Sequence, residues 1–198
     1  MGGILQLGSP QKIAIEMLKG IKVHRILDVG CGNGKVAHEI LKQKLGEKVY
    51  GIDLDETLLS QAKKEGVITH KLDLNFEKFP FSDEYFDIVI SIDVIEHILN
   101  LNHFLSEINR VLKKDGILVL STPNIQFIYY IIKLILGYGP KTSFGKGKYY
   151  GAELYDGGHI HYFTLKDLIK LLNYNHFIVL DVRGTYNVSK TYLKTIMK

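Results

Sequence analysis

Residues 28–34 read DVGCGNG, so glycines stand at every second position just after a short apolar run. Glycine lets a chain bend sharply and lets backbone N–H groups approach a ligand closely. The start of a following helix adds partial positive charge, so such a bend suits a carboxylate. Asp28 enters the bend as a negative charge, which would repel a pyrophosphate and welcome an ammonium group. The dinucleotide fingerprint G-x-G-x-x-G would need a third glycine where Lys35 stands; Gly30, Gly32 and Gly34 follow G-x-G-x-G instead. Further on, Asp53 closes a second apolar run, the place of an acid that accepts from ribose hydroxyls. Asp73 follows a third run and can accept from an adenine amino group. Each acid has a plainer alternative. Asp53 could cap the next helix, although Asp55 is better placed for that, and Asp73 could simply form a turn.

A second set of residues could move a proton. His97 follows Glu96 beyond the fourth apolar run. An imidazole titrating near about pH 6.5 suits a general base; the alternative is a helix-start residue that holds a loop. His159 and His161 are two apart, so an extended segment would turn both to one face, beside Tyr162. Their spacing, even with Glu96, is too weak a signal to argue for a metal, and none is expected.

The elements that must position these residues alternate. Apolar runs at 25–29, 48–53, 67–70, 86–91 and 117–121 read as strands, and 176–182 as a sixth. Helical spacing appears at 10–21, 35–45, 56–64, the stretch carrying Phe104 to Leu112, and from Thr164, where Asp167 completes a capping-box-like start. This alternation predicts an α/β fold of the Rossmann-like, doubly wound class: a mostly parallel sheet with helices on both faces. Ligands then bind beyond the carboxyl ends of the strands, where the strand order reverses. The whole chain, 1–198, reads as one domain, with a lid or acceptor-side insertion around 125–161. Residues 125–136 form an aromatic, apolar helix pattern that could pack on the core, cover the site, pair two subunits or lie on a membrane surface. The tail after Gly184 is read either as an antiparallel edge strand or as a helix.

The bulk numbers agree with a folded protein. With 198 residues, 46% hydrophobic and 23% charged, the chain can bury a full core. Cys31 is the single cysteine, which excludes an internal disulfide and fits a reducing, cytoplasmic setting. The net charge of +4 is too mild to call for nucleic acid, and Lys141, Lys146 and Lys148, spaced by glycines, read as a solvated loop. The start MGGILQ lacks the basic flank of a signal peptide and the residue needed for myristoylation. No apolar run reaches the about 20 residues that cross a bilayer.

Five segments resemble, in order, the class I S-adenosylmethionine (SAM)-dependent methyltransferases: LDVGCGNG at 27–34, YGIDL at 50–54, LDL at 72–74, FSDEYFDIVISIDVIEHI at 81–98 and LKKDGILVLSTPN at 112–124. SAM carries a carboxylate and an ammonium group and no phosphate. The resemblance spans about 10–182 and implies strand order 3-2-1-4-5 with a final antiparallel pair. It implies that Asp28, Gly30, Cys31, Gly32 and Gly34 surround the methionine portion. Asp53 and Leu54 would hold the ribose, Asp73 and Leu74 the adenine, and Ser91 and Ile92 would lie near the sulfonium. HIHYFT at 159–164 is similar to a segment of small-molecule branches, including O-methyltransferases of quinone and glycan pathways. The implied function is methyl transfer from SAM, leaving S-adenosylhomocysteine, to a small-molecule acceptor, with oxygen the favoured atom and His97, His159 and His161 the candidate bases. A SAM-binding module without catalysis and an NAD-dependent oxidoreductase remain as alternatives. A nucleic-acid enzyme is disfavoured, because the Asn/Asp-Pro-Pro-aromatic motif is absent. A homodimer remains open.

Overall fold

The computed structural model describes residues 9–21, 23–143, 147–149, 152–184 and 190–197; Met1 to Gln6 and Lys146 fall outside these. Strands β1 (Val23–Val29), β2 (Gly46–Asp53), β3 (Ile68–Lys71), β4 (Phe86–Ile92) and β5 (Leu112–Pro123) alternate with helices α1 (Ser9–Leu18), α2 (Lys35–Lys42), α3 (Glu56–Lys64) and α4 (Leu101–Val111). Then come α5 (Ile128–Ile135), a short hairpin of β6 (Gly147–Tyr149) and β7 (Ala152–Leu154), α6 (Leu165–Tyr174), β8 (Phe177–Gly184) and β9 (Lys190–Met197). The large sheet runs β3-β2-β1-β4-β5-β9-β8. β1 to β5 are parallel, and β9 lies antiparallel between β5 and β8.

Alternation along each strand builds two cores. Ile26, Ile88, Ile90 and Val119 face α1 and α2, where Ala14, Met17, Leu18, Val36 and Ile40 are buried. Leu27, Val89, Leu118 and Leu120 face the other way, onto Phe104, Leu105 and Ile108 of α4 and Leu168 and Leu172 of α6. Strands covered on both sides must be apolar at every position, and that is why they could be read from the sequence. The expected caps are formed: the Asp55 carboxylate accepts from Thr57 and Leu58 N–H at the start of α3, and Thr164 Oγ1 accepts from Asp167 N–H at the start of α6.

Three features differ from the sequence reading or complete it. The tail takes the strand alternative: β9 completes the antiparallel pair. The β6–β7 hairpin has no counterpart in the sequence reading. α5 is shorter than the 125–136 pattern, and it is not a core helix: of its residues only Tyr130 is buried, while Ile128 and Ile135 are 62% and 79% exposed. Hydrophobic spacing shows that a helix has an apolar face, not what covers it. Among the described residues no helix is long and apolar enough to cross a membrane.

The loop between β3 and β4 is pinned to α4 by a nearly buried ion pair. Glu107 accepts from Phe79 N–H at 2.7 Å and from Arg110 at 2.7 and 2.9 Å; Arg110 also donates to the carbonyls of Phe79 and Phe81 and to Asp83. Burial works against the Glu107 charge, but Arg110 and the Phe79 N–H outweigh it and hold the carboxyl below its ordinary value. The contribution is therefore present above the ordinary carboxylate range and lost as pH falls through the lowered value. Arg110→Ala should destabilise the fold by about 3–5 kcal/mol in urea unfolding at neutral pH, since it strands a buried carboxylate.

Candidate active site

The glycine bend sits where the strand order reverses, beside the carboxyl ends of β1 and β4. The N–H groups of Gly30 and Cys31 donate to the Ile52 carbonyl at 2.8 and 3.1 Å, which staples the bend to β2. Gly32 N–H donates to one oxygen of Asp53 at 2.8 Å, and Asp55 N–H to the other at 3.0 Å. Each Asp53 oxygen keeps a second lone pair for a hydroxyl donor. Gly32 lies at φ 52°, and a methyl group placed on it would project into open space. Gly34, at φ 77°, lies against Ala62 of α3 so closely that a Cβ would approach to 2.8 Å. The first glycine therefore keeps a cradle open, and the second lets two elements close.

Asp28 shares the Ile26 face of β1 and is only 3% exposed. Its Oδ2 has no hydrogen-bond partner among the described residues. Burial first, and the nearby Asp53 charge second, push its carboxyl from 3.8 up to about 7, with the Ala37 N–H pulling the other way. The Cys31 thiol turns inward over Gly51. Burial, and then the Asp28 and Asp53 carboxylates, raise its pKa far above that of an ordinary thiol, so it lines the bend without being reactive.

A cavity of about 280 Å³ opens beside the bend, walled by Gly30, Asp53, Leu54, Asp73, Leu74 and His97 among others. Two larger depressions, about 790 Å³ between α4 and the end of α6 and about 610 Å³ beside Val23 and Gly46, hold none of the motif residues. Asp73 also makes a turn: its Oδ1 accepts from the backbone and side chain of Asn75 at 2.9 and 3.0 Å. Ser91 is fully buried and its Oγ has no hydrogen-bond partner among the described residues, and Ile92 is half-buried.

The three histidines separate. His97 and His159 meet with ring centroids 4.7 Å apart. Glu96, buried beneath them, accepts from Thr122 Oγ1 at 3.1 Å, and its Oε1 lies 4.0 Å from His159 Nε2. His97 Nδ1 donates to the Gly158 carbonyl at 3.1 Å. His161 does not share the His159 face: its Nε2 donates to the Ile98 carbonyl at 2.9 Å, and its ring lies by Phe163. Residues 159–162 are not a strand, so alternation does not hold there. Glu96, His97 and His159 also bring one ligand atom each to within 4.8 Å of one another, a grouping that one divalent cation could occupy.

A family profile described as "Methyltransferase domain" matches residues 27–120. The ubiquinone biosynthesis O-methyltransferase of Rickettsia conorii is 34% identical over 143 residues, covering 68% of this chain and 48% of that protein. The one of Rickettsia bellii is 30% identical over 171 residues, covering 78% and 70%. The chain belongs to the class I SAM-dependent methyltransferases. It spans about half the length of the first of these relatives. The fold agrees: a SAM-dependent methyltransferase from Mesorhizobium loti superposes with a TM-score of 0.71 at 17% identity, over 97% of this chain and 99% of that one.

The residues fit SAM, the family's cofactor. The unpartnered Asp28 Oδ2 offers a site for an ammonium group, and the open face of Gly32 leaves room beside it. The sequence reading missed several residues here. Asp93 follows β4 at a left-handed φ of 56° and joins the cavity wall; Asn75 bridges Asp73 to Leu99 N–H. Thr142, 17 residues back, and Asp156, three residues back, both contact His159. A non-glycine residue in left-handed conformation is a structural signal only; nothing local in the sequence marks it.

Asp28 gives a pH test. Without ligand the native state keeps a proton that the unfolded chain loses above about pH 4; the stability linked to it disappears as pH rises through about 7. An ammonium ligand favours the ionised carboxylate, so binding releases that proton. S-adenosylhomocysteine affinity should therefore fall by up to about tenfold per pH unit below about pH 7. Asp28→Asn should flatten this slope and weaken binding. Calorimetry in two buffers at about pH 5.5, 6.5 and 7.5 measures both, and a flat wild-type profile overturns the assignment.

Proposed function

We propose that this chain transfers the methyl group of SAM to an oxygen of a small-molecule acceptor. The observation that carries this reading is that His97 stands in the wall of the same cavity as Asp53 and Asp73, with His159 against it. When bound, SAM supplies a methyl group already activated on a sulfonium. The protein's part is alignment of the acceptor, exclusion of water and removal of the hydroxyl proton. Asp28 and the bend at Gly30, Cys31, Gly32 and Gly34 would hold the methionine portion. Asp53 and Leu54 would hold the ribose, Asp73 and Leu74 the adenine side, and Ser91 and Ile92 would sit near the sulfur.

The proton goes to the His97–His159 pair. His97 reaches the cavity, and its Nδ1 hydrogen goes to the Gly158 carbonyl, which puts the lone pair of the neutral ring on Nε2. His161 anchors the returning strap. The segment 125–161 forms the acceptor side of the domain. The names of the relatives, which refer to ubiquinone biosynthesis, favour a hydroxylated ring as acceptor. A single cysteine supports a cytoplasmic setting.

His97→Ala and His159→Ala should each lower turnover of 3,4-dihydroxybenzoate with radiolabelled SAM on the order of a hundredfold, with S-adenosylhomocysteine affinity unchanged. Full turnover in both variants refutes the proton role. Activity lost to a chelator and restored by magnesium would instead assign Glu96, His97 and His159 to a cation.

The exposed Ile128, Ile131, Ile132, Ile135 and Leu136 of α5 and its end, with Lys133 among them, support contact with an anionic membrane surface. The protein should float with phosphatidylglycerol vesicles, and Ile132→Asp with Ile135→Asp should abolish flotation. A wild type that stays in solution as a dimer which the double variant splits would make α5 a subunit interface.

A further inference from the structure

We propose that Thr142 and Asp156 are positioning residues that set the tautomer of His159. Thr142 Oγ1 donates its only hydrogen to Asp156 Oδ2 at 2.9 Å. The same oxygen lies 2.6 Å from His159 Nδ1, so at that contact it can only accept. The hydrogen of the neutral ring must then sit on Nδ1. The lone pair falls on Nε2, which faces Glu96 Oε1 at 4.0 Å and the His97 ring. This is the end of the ring that a proton, or a cation, would reach.

The upstream end of the chain is fixed. Asp156 is buried and accepts from the backbone N–H groups of Thr142 at 2.8 Å and Ser143 at 2.6 Å. Burial works against its charge, but these donors outweigh burial and keep the carboxyl below its ordinary value, so it remains an acceptor. It holds a left-handed backbone, φ 52°, ψ 39°, that ordinarily favours glycine; backbone strain of this kind collects at functional sites. Among the described residues, the titratable groups around the His159 ring are Glu96 and His97 on one side and Asp156 on the other. An imidazolium there would lie between two carboxylates.

The consequence for turnover rests on the methyl-transfer reading; the tautomer does not. Thr142→Val removes the hydroxyl but leaves both backbone bonds to Asp156, so the loop clasp survives. The test is long-range proton–nitrogen NMR of the full chain with nitrogen-15 histidine at about pH 7.5, with His159 assigned through His159→Gln. The wild type should show His159 protonated on Nδ1 alone. Thr142→Val should shift the ring to the other tautomer or a mixture and lower turnover about tenfold or more, with S-adenosylhomocysteine affinity within about twofold. Thr142→Ser should restore both readouts. A wild-type ring protonated on Nε2 or doubly protonated, or a tautomer unchanged in Thr142→Val, overturns the proposal. The expected tautomer change with unchanged turnover of 3,4-dihydroxybenzoate would uphold it and refute the proton role of His159.

Discussion

Two carboxylates, Asp28 and Asp53, are held on either side of one glycine bend, and one of them is deep in the protein. A buried carboxylate without a counter-charge is costly, and a second one nearby makes it costlier. The surrounding geometry keeps both in place. β1 and β2 run in parallel register with Asp28 opposite Gly51, and Gly51 leaves room for the Cys31 side chain. The bend is tied to Ile52 and Asp53, so it cannot relax away from the charge. The bend thus holds a buried carboxylate oxygen, Asp28 Oδ2, for which no described residue supplies a hydrogen-bond partner.

The glycine bend and the acids beside it were legible in the sequence because they are local. Asp28, the glycines, Asp53 and Asp73 each sit at the end of a strand whose apolar run could be read directly, and parallel pairing brings those ends together. The cluster around His159 was not. Thr142 lies 14 residues before Asp156 and 17 before His159, and His159 meets Glu96 only through folding. No spacing rule connects 96 to 142 to 156. The placement of His161 failed for a related reason: alternation applies to extended strands, and residues 159–162 instead follow a tight turn through Asp156 and Gly157. Lys190, Thr191, Lys194 and Thr195 break the apolar run of β9, so its sequence fits a strand or a helix equally.

The excursion between β5 and α6 is closed at its base and open at its far side. Ile125 N–H donates to the Phe163 carbonyl at 3.1 Å, which joins the departing and returning chain. Ile160 and His161 N–H both donate to the Glu96 carbonyl, at 2.9 and 3.1 Å. The returning chain is therefore clamped to the residue that lies beneath the two histidines, while α5 shows its apolar side to the surroundings. Firm attachment at Glu96 and an exposed apolar helix farther out coexist in one segment.

The position of β9 constrains how the molecule is made. β8 precedes it in the chain yet lies outside it in the sheet, touching β5 only through it. Until β9 pairs, β5 presents an unpaired edge and β8 has no neighbouring strand in this sheet. Unpaired strand edges invite association between chains, and synthesis proceeds at about 5–20 residues per second. The interval in which nascent copies can adhere to one another therefore ends with the arrival of a single eight-residue strand.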